Sequence, residues 1–294
     1  MFDFRLKVFY TVAQRLSFTK AAEELFITQP AVTKHIHELE TQLGQTLIQR
    51  KGRDIALTAA GNILFDYSKK IFSIYQSLEF DLGQLKGKAE GVLRIGASTT
   101  IAQYILPKLL AIFLEKYPQI KASLITGNTE TIEELLQQEK IDVGLIEGSS
   151  NKSFVNYIPF AEDELVLVTN YNNNAYPKNI IAPKAIKELP LIVREEGSGT
   201  LNILQHALQS KGIHFNDLNI ILRLGSTEGI KQYLLHSNSY AFISIHACPE
   251  ELQNKTLKVI EMKGIRIKRT LQFIHTHGQP NKMIELFIKN TSRQ

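Results

Sequence analysis

A chain of 294 residues is long enough for two domains of ordinary size, each with its own core. Its 44% hydrophobic and 21% charged composition excludes a disordered or membrane-embedded class, and the longest apolar stretches, such as Leu165–Val168, fall far short of the roughly 20 residues that a spanning helix needs. The net charge of +5 permits an anionic partner without demanding one. The first 58 residues hold eight basic residues (Arg5, Lys7, Arg15, Lys20, Lys34, Arg50, Lys51, Arg53) against six acidic ones (Asp3, Glu23, Glu24, Glu38, Glu40, Asp54), so the placement of charge matters more than its total. The start, Met-Phe-Asp-Phe-Arg, lacks a basic stretch followed by an apolar one; no secretory signal is expected, and the expected location is the cytoplasm. The single cysteine, Cys248, excludes an intrachain disulfide, a Cys-rich metal site and a two-cysteine peroxide sensor, and is expected to be a small buried hydrophobe.

Three short helices open the chain. The first is predicted over Phe4–Arg15, with Leu6, Phe9, Val12 and Ala13 on one face. Ser17 or Thr19 caps a second over Lys20–Phe26, whose small Ala21 and Ala22 allow close approach of another helix. Thr28 caps a third, with Pro30 tolerated in its first turn. Val32, Ile36, Leu39 and Leu43 form its apolar stripe, which leaves Thr33, Lys34 and His37 on the opposite side. Only Ile27 and Thr28 separate the second and third helices, a connection suited to a helix-turn-helix. Gln29 and Thr33 then project where a recognition helix meets base edges. Leu47–Arg50 and Asp54–Leu57 read as two strands around the basic turn Lys51-Gly52-Arg53, a wing that places Arg50, Lys51 and Arg53 near phosphates.

The segments Ser17–Arg50 and Leu57–Gly61 resemble the signature of the LysR-type transcriptional regulators: paired alanines, a Gln-Pro-Ala-Val turn into the third helix, Leu-Glu-x-x-Leu-Gly, and Leu-Thr-x-x-Gly. The resemblance extends more loosely over the whole chain. It implies an N-terminal all-α winged helix-turn-helix with a long linker helix, followed by an α/β two-lobed periplasmic-binding-protein-like domain. The implied partners are double-stranded promoter or operator DNA, a small-molecule effector, a second copy or a tetramer of this chain, and RNA polymerase, with no membrane and no cofactor. In that family the positions matching Gln29, Thr33 and Lys34 face the major groove, and those matching Arg50 and Arg53 approach the backbone or minor groove. The DNA-contact set is therefore Gln29, Pro30, Ala31, Thr33, Lys34, His37, Arg50, Lys51 and Arg53. Lys34 and His35 stand where the family usually has Arg and Gln, and Ile48 where Phe is common; Lys lacks the bidentate fork of Arg.

Thr58 caps a continuous helix reaching about Gly87, which at 1.5 Å per residue is about 45 Å long. Leu64, Tyr67, Ile71, Ile74, Leu78 and Leu85 follow the three-four spacing of a helix paired with another helix. No other stretch offers a matching length, and the resemblance implies dimerisation through this element. Gly87 and Gly91 mark a hinge. The expected division is 1–58 for the DNA-binding domain, 59–89 for the linker helix and 90–294 for the effector domain, with lobe one at 90–161 and 267–294 and lobe two at 162–266.

Beyond Gly91, strands at Val92–Ala97, Ile120–Thr126, Ile141–Ile146, Leu165–Val168, Leu191–Val193, Ile220–Leu224, Ala241–Ser244 and Leu271–His275 alternate with helices at Ile101–Tyr117, Thr129–Gln138, Thr200–Lys211, Ser226–Leu235 and Asn281–Lys289. Such alternation predicts parallel sheets. Ligands in such folds sit at carboxyl ends of strands against helix N-termini. The segments that meet this description supply Ser98, Thr99, Thr100, Asn128, Thr129, Glu147, Arg194, Ser198, Thr200 and Thr227 as the effector-binding set. Glu195–Thr200 resembles a subgroup of these regulators that activate carbon-fixation and sulfur-assimilation genes, in which Gly-Ser-Gly-Thr is usually followed by Arg. Leu201 stands there instead, which leaves Arg194 to supply positive charge for a small, anionic metabolite.

No catalytic constellation stands out, and the chain reads as no enzyme. There is no Gly-x-Ser-x-Gly elbow, phosphate-binding Gly-Lys-Ser/Thr loop or dinucleotide fingerprint. His275 and His277 share one face of a strand without an acidic or Cys partner and read as ordinary surface or core histidines. Two other readings stay open: a cytoplasmic solute-binding or dehydratase-like protein of the same lobed fold, and a DNA binder that needs no ligand.

Overall fold

The computed structural model describes residues 3–51, 54–85, 90–148, 151–278 and 280–292. The chain forms two compact units, Met1–Leu82 and Gly83–Gln294.

In the N-terminal unit, α1 (Phe4–Arg15), α2 (Phe18–Leu25) and α3 (Gln29–Leu43) pack around Phe9, Val12, Ala21, Ala22, Val32, Ile36 and Leu39. Each helix start is capped by a side chain that accepts an N–H the helix cannot satisfy: Asp3 from Arg5, Ser17 from Lys20, Thr28 from Ala31. The second helix starts at Phe18, two residues ahead of the expected Lys20, because Ser17 is its cap. Leu43 departs from the predicted apolar stripe and is 45% exposed; α3 ends beside it, with Gly44 in the left-handed region at φ 63°. Strands β1 (Ile48–Lys51) and β2 (Asp54–Leu57) pair antiparallel, with Ile48 opposite Leu57 and Lys51 opposite Asp54.

Polar side chains weld this pair to α3 and to α4 (Ala59–Leu85). The Glu40 carboxylate accepts the backbone N–H groups of Leu47 (2.8 Å) and Ile48 (3.3 Å). The Thr58 hydroxyl donates to the Thr46 carbonyl at 2.6 Å and accepts the Gly61 N–H at 3.0 Å. Gly61 is required by close approach: a Cβ there would lie 2.0 Å from the Leu47 carbonyl oxygen. Both sequence motifs, Leu-Glu-x-x-Leu-Gly and Leu-Thr-x-x-Gly, are thus joints around the Leu47 backbone. On α4, Leu64 packs on the N-terminal core and does not share the outward stripe assigned to it. Ile63, Tyr67, Ile71, Ile74, Leu78 and Leu82 stand exposed at three-four spacing.

The C-terminal unit runs β3 (Gly91–Ser98), α5 (Thr99–Tyr104), α6 (Leu106–Lys116), β4 (Ile120–Gly127), α7 (Thr129–Gln137), β5 (Val143–Glu147), β6 (Val155–Asn170), β7 (Ile180–Ile181), β8 (Leu191–Arg194), α8 (Gly199–Gln209), β9 (Ile220–Leu224), α9 (Thr227–Leu235), β10 (Tyr240–Ser244), α10 (Pro249–Gln253), β11 (Leu257–Met262), β12 (Ile267–Thr276) and α11 (Lys282–Thr291). The strand order is β4-β3-β5-β12-β6-β10-β8-β9, with β11 also beside β6 and β7 beside β11. The triads β4-β3-β5 and β10-β8-β9 are parallel, as the alternation predicts. Between them β6 and β12 run antiparallel to each other over their whole paired length, from Ile267 opposite Leu165 to Thr276 opposite Val155. They are the crossing strands of a two-lobed unit. The helix expected over Ile101–Tyr117 is two helices broken at Ile105, ahead of Pro107 in the first turn of α6, where a missing N–H is harmless.

Each lobe has its own core. Phe113, Phe273 and Phe287 stack edge to face in lobe one, at centroid separations of 5.2 and 5.9 Å. In lobe two, Leu201, Leu204 and Leu208 of α8 cover one face of the sheet, and Ile230 and Leu234 of α9 cover the other. Among the described residues no helix is long and apolar enough to cross a membrane.

Gly61→Ala should cost about 1–3 kcal/mol, the usual penalty of forced overpacking. Hydrogen exchange of the full chain should then speed up in α1–α3 and stay unaltered in the C-terminal unit.

Candidate functional site

Two sites emerge, one in each unit. In the first, α3 is held by Val32, Ile36 and Leu39, all buried, so its other face is turned out. Gln29, Pro30, Thr33, Lys34 and His37 are exposed and Ala31 half-buried. Gln29 and Thr33 are mutually braced: the Gln29 amide donates to the Thr33 hydroxyl, which donates to the Gln29 carbonyl, each at 3.2 Å. Lys34 lies 3.9 Å from Glu38, an exposed pair that water screens. The helix thus presents amide, hydroxyl, ammonium and imidazole groups at one end of a rigid element, the chemistry that reads base edges and phosphates. The backbones of Arg50 and Lys51 lie in β1; their side chains, and Arg53, lie outside the described residues.

The second site lies where the carboxyl ends of the parallel strands in both lobes converge. Ser98, Thr99, Thr100, Thr129, Glu147, Arg194, Ser198, Thr200 and Thr227 are all buried there, and Asn128 is half-buried. Several contacts among the described residues join the lobes across it. Thr100 and Thr227 hydroxyls meet at 3.4 Å, the Asn128 amide donates to the Glu196 carbonyl at 3.1 Å, the Glu130 N–H donates to the Gly197 carbonyl at 3.2 Å, and the Tyr104 hydroxyl donates to Glu228. Two glycines permit this approach. Gly197 adopts φ +78°, and a Cβ on Gly199 would lie 2.6 Å from both the Glu147 carbonyl and the Thr129 hydroxyl.

At the centre is a residue the sequence does not flag. Arg269, on β12, sits opposite Asp163 of β6 and donates to it through Nε at 2.7 Å. Its Nη1 donates to Thr200 at 2.7 Å, and its Nη2 lies 3.7 Å from Glu147 Oε1. Asp163 also accepts the Ser244 hydroxyl and the Glu164 N–H, both at 2.8 Å. Arg194 is directed elsewhere: it forms a bidentate pair with Glu195 at 2.7 and 2.9 Å. Burial pushes the Glu195 carboxyl up, but the Arg194 hydrogen bonds outweigh it and hold the group below the usual carboxylate range. The cation facing the interlobe centre is therefore Arg269.

The remaining singled-out residues are structural. Cys248 is fully buried, and burial above all, with Glu251 nearby, pushes its thiol up to about 11. His275 is buried with its ring on the Thr276 carbonyl, and burial holds it below the usual imidazole value. His277 does not share its strand face, because β12 ends at Thr276. Among the described residues no group of three or more His, Cys, Asp or Glu is placed to hold a metal ion.

A winged helix-turn-helix unit followed by a two-lobed α/β unit with a buried polar centre is the architecture of a ligand-responsive transcription regulator. The sequence matches "Bacterial regulatory helix-turn-helix protein, lysR family" over residues 4–62 and "LysR substrate binding domain" over residues 86–292. The protein belongs to the LysR family of DNA-binding transcriptional regulators. It is 31% identical over 284 residues to the HTH-type transcriptional regulator CysL of Bacillus subtilis (strain 168), covering 96% of this chain and 94% of that one. It is 32% identical over 275 residues to a probable RuBisCO transcriptional regulator of Thalassiosira pseudonana, covering 92% and 90%. Among solved structures, the regulatory domain of Synechocystis PCC6803 CcmR in complex with 2-PG matches with TM-score 0.63 and 27% identity, covering 69% of this chain and 97% of that one. These relatives include a probable RuBisCO transcriptional regulator, in line with the carbon-fixation side of the subgroup that Glu195–Thr200 resembles.

Removing one partner of the buried pair strands the other, at a cost of about 3–5 kcal/mol. Asp163→Ala should lower urea stability by that order, and adding Arg269→Met should restore part of it. Cys248 should resist alkylation at about pH 8 in the native protein and react promptly once unfolded, as read by mass spectrometry.

Proposed function

We propose that the chain is a cytoplasmic regulator that binds promoter DNA through Gln29, Pro30, Ala31, Thr33, Lys34, His37, Arg50, Lys51 and Arg53, and that a small anionic metabolite held between its lobes alters that binding. The observation that carries the effector half is the convergence of buried donors at strand ends and helix starts around Arg269, from both lobes at once. The 2-PG complex of the CcmR domain supports a small anion as the class of ligand. The DNA half rests on the outward polar face of α3, whose opposite face is fixed in the core.

The exposed three-four stripe of α4, Ile63 to Leu82, supports pairing with a second copy, since a lone helix gains nothing from presenting such a row to water. Dimers place two recognition helices on two half-sites, and a tetramer doubles that arrangement. The functional division is 1–58, 59–89 and 90–294, and contact with RNA polymerase at the promoter completes the regulatory role. The metabolite acts by binding one arrangement of the lobes better than another, which shifts their populations on DNA.

Thr33→Ala with Lys34→Ala should abolish specific protection of the DNA flanking the gene while leaving circular dichroism and oligomer size unaltered. Footprints of the unaltered protein should show two half-sites that weaken steeply with salt. A double variant protecting its operator normally would overturn the assignment of α3.

A further inference from the structure

Four polar atoms at the interlobe centre are buried without any hydrogen-bond partner: Ser98 Oγ, Thr99 Oγ1, Glu147 Oε1 and Arg269 Nη2. Glu147 and Arg269 form an ion pair, and Ser98 ends, and Thr99 follows, the strand that lies beside Glu147's. β3 and β5 run in register with Ala97 beside Leu145, which sets Ser98 and Thr99 next to Ile146 and Glu147 at the same strand ends. Glu147 Oε1 and Arg269 Nη2 are 3.7 Å apart, and their side chains are 2% and 1% exposed. The remaining atoms of these groups are committed. Arg269 Nε and Nη1 hold Asp163 and Thr200, and Glu147 Oε2 receives the Thr129 hydroxyl at 3.5 Å.

Each buried polar group without a hydrogen bond costs about 1–3 kcal/mol, a cost that Glu147 Oε1 and Arg269 Nη2 offset in part by facing each other as an ion pair. Water or a ligand must supply what these atoms lack, and the surrounding network that holds Glu147 and Arg269 suits a ligand site. Their chemistry is mixed. Arg269 Nη2 donates and carries positive charge, and the Ser98 and Thr99 hydroxyls can donate. Glu147 Oε1 only accepts when ionised, and it carries negative charge. A bare oxyanion would satisfy the first three and be repelled by the fourth.

We infer that the effector is a small acid bearing an O–H or N–H donor on the carbon next to its carboxylate, an α-hydroxy or α-amino acid. Its carboxylate lies on Arg269 Nη2, Ser98 and Thr99, and its adjacent donor lies on Glu147 Oε1. The short separation of Arg269 Nη2 and Glu147 Oε1 fits functions on adjacent atoms. Glu147 thereby acts as the discriminating residue, rejecting inorganic anions and simple carboxylates. The inference rests on effector binding between the lobes and adds the class of ligand.

Matched pairs test it in the full-length protein by thermal shift and calorimetry: lactate and alanine against propionate, malate and aspartate against succinate, with sulfate alongside. At least one hydroxy or amino acid should bind about ten-fold or more tighter than its unsubstituted partner, and sulfate should bind no better than that partner. Whether the hydroxyl or the ammonium member binds identifies the donor. Glu147→Gln, which keeps the shape and folds if its circular dichroism is unaltered, should bring each pair to within about two-fold, because its amide accepts and donates. Ser98→Ala should weaken both members of a pair alike. Equal affinity for substituted and unsubstituted acids overturns the inference and leaves an anion-binding cleft intact. No binding by any of these acids or by sulfate overturns the cleft reading as well.

Discussion

Everything in the C-terminal unit is arranged around one buried ion pair. Arg269 and Asp163 stand opposite each other on β12 and β6, the strands that run between the lobes. An ion pair out of water is stabilised by each further hydrogen bond to its remaining protons and lone pairs. Here Ser244 of lobe two and the Glu164 N–H complete Asp163, and Thr200 at the start of α8 completes part of Arg269. Glu147 approaches from lobe one. The pair therefore fixes the middle of the crossing strands while its outer atoms touch both lobes. Any rearrangement of the lobes must alter what Thr200 and Glu147 offer to the same guanidinium.

Most of the N-terminal unit was legible because its signals are local. Caps at Ser17, Thr28 and Thr58, the Val32-Ile36-Leu39 stripe and the small Ala21-Ala22 pair all act within a few residues of themselves. Leu43 and Leu64 were misplaced where helical periodicity met the end of α3 and the start of α4, since a stripe does not say which neighbour covers it. In the C-terminal unit the parallel triads were legible from alternation. The first half of β6 was not. Val155–Glu164 contains Pro159 and three acidic residues, a composition that reads as loop. Its strand character comes from pairing with β12, more than a hundred positions away, and Pro159 is tolerated where the ladder shifts register. The ten effector candidates could be named from the sequence because helix starts and strand ends have a local grammar. Arg269 was missed because an arginine in a strand has none until Asp163 is seen beside it.

That omission also misdirected the charge. With Leu201 where the resembled subgroup has Arg, Arg194 was the nearest replacement in sequence. Leu201 is buried in the lobe-two core, and Arg194 is neutralised by its neighbour Glu195. The positive group at the centre is instead Arg269 of β12. A guanidinium fixed by Asp163 and Thr200 keeps its free edge in one orientation, whereas one without such partners loses rotamer entropy on each contact. Arg269 of β12, with Glu147 beside it, gives the proposed site both signs of charge.

The energetic scale makes such a centre suitable for control. Coupling between an effector and DNA is typically about 1–3 kcal/mol, and each buried unpaired group costs about the same. A ligand that satisfied only one or two of Ser98, Thr99, Glu147 and Arg269 would already gain enough to shift a two-state equilibrium. It would do so only if the groups come together in one arrangement and not the other. Contacts such as Thr100 with Thr227 and Asn128 with Glu196 exist only with the lobes together. A ligand at the proposed site would sit beside these contacts and could favour the arrangement that makes them, which is the differential interaction that a population shift requires.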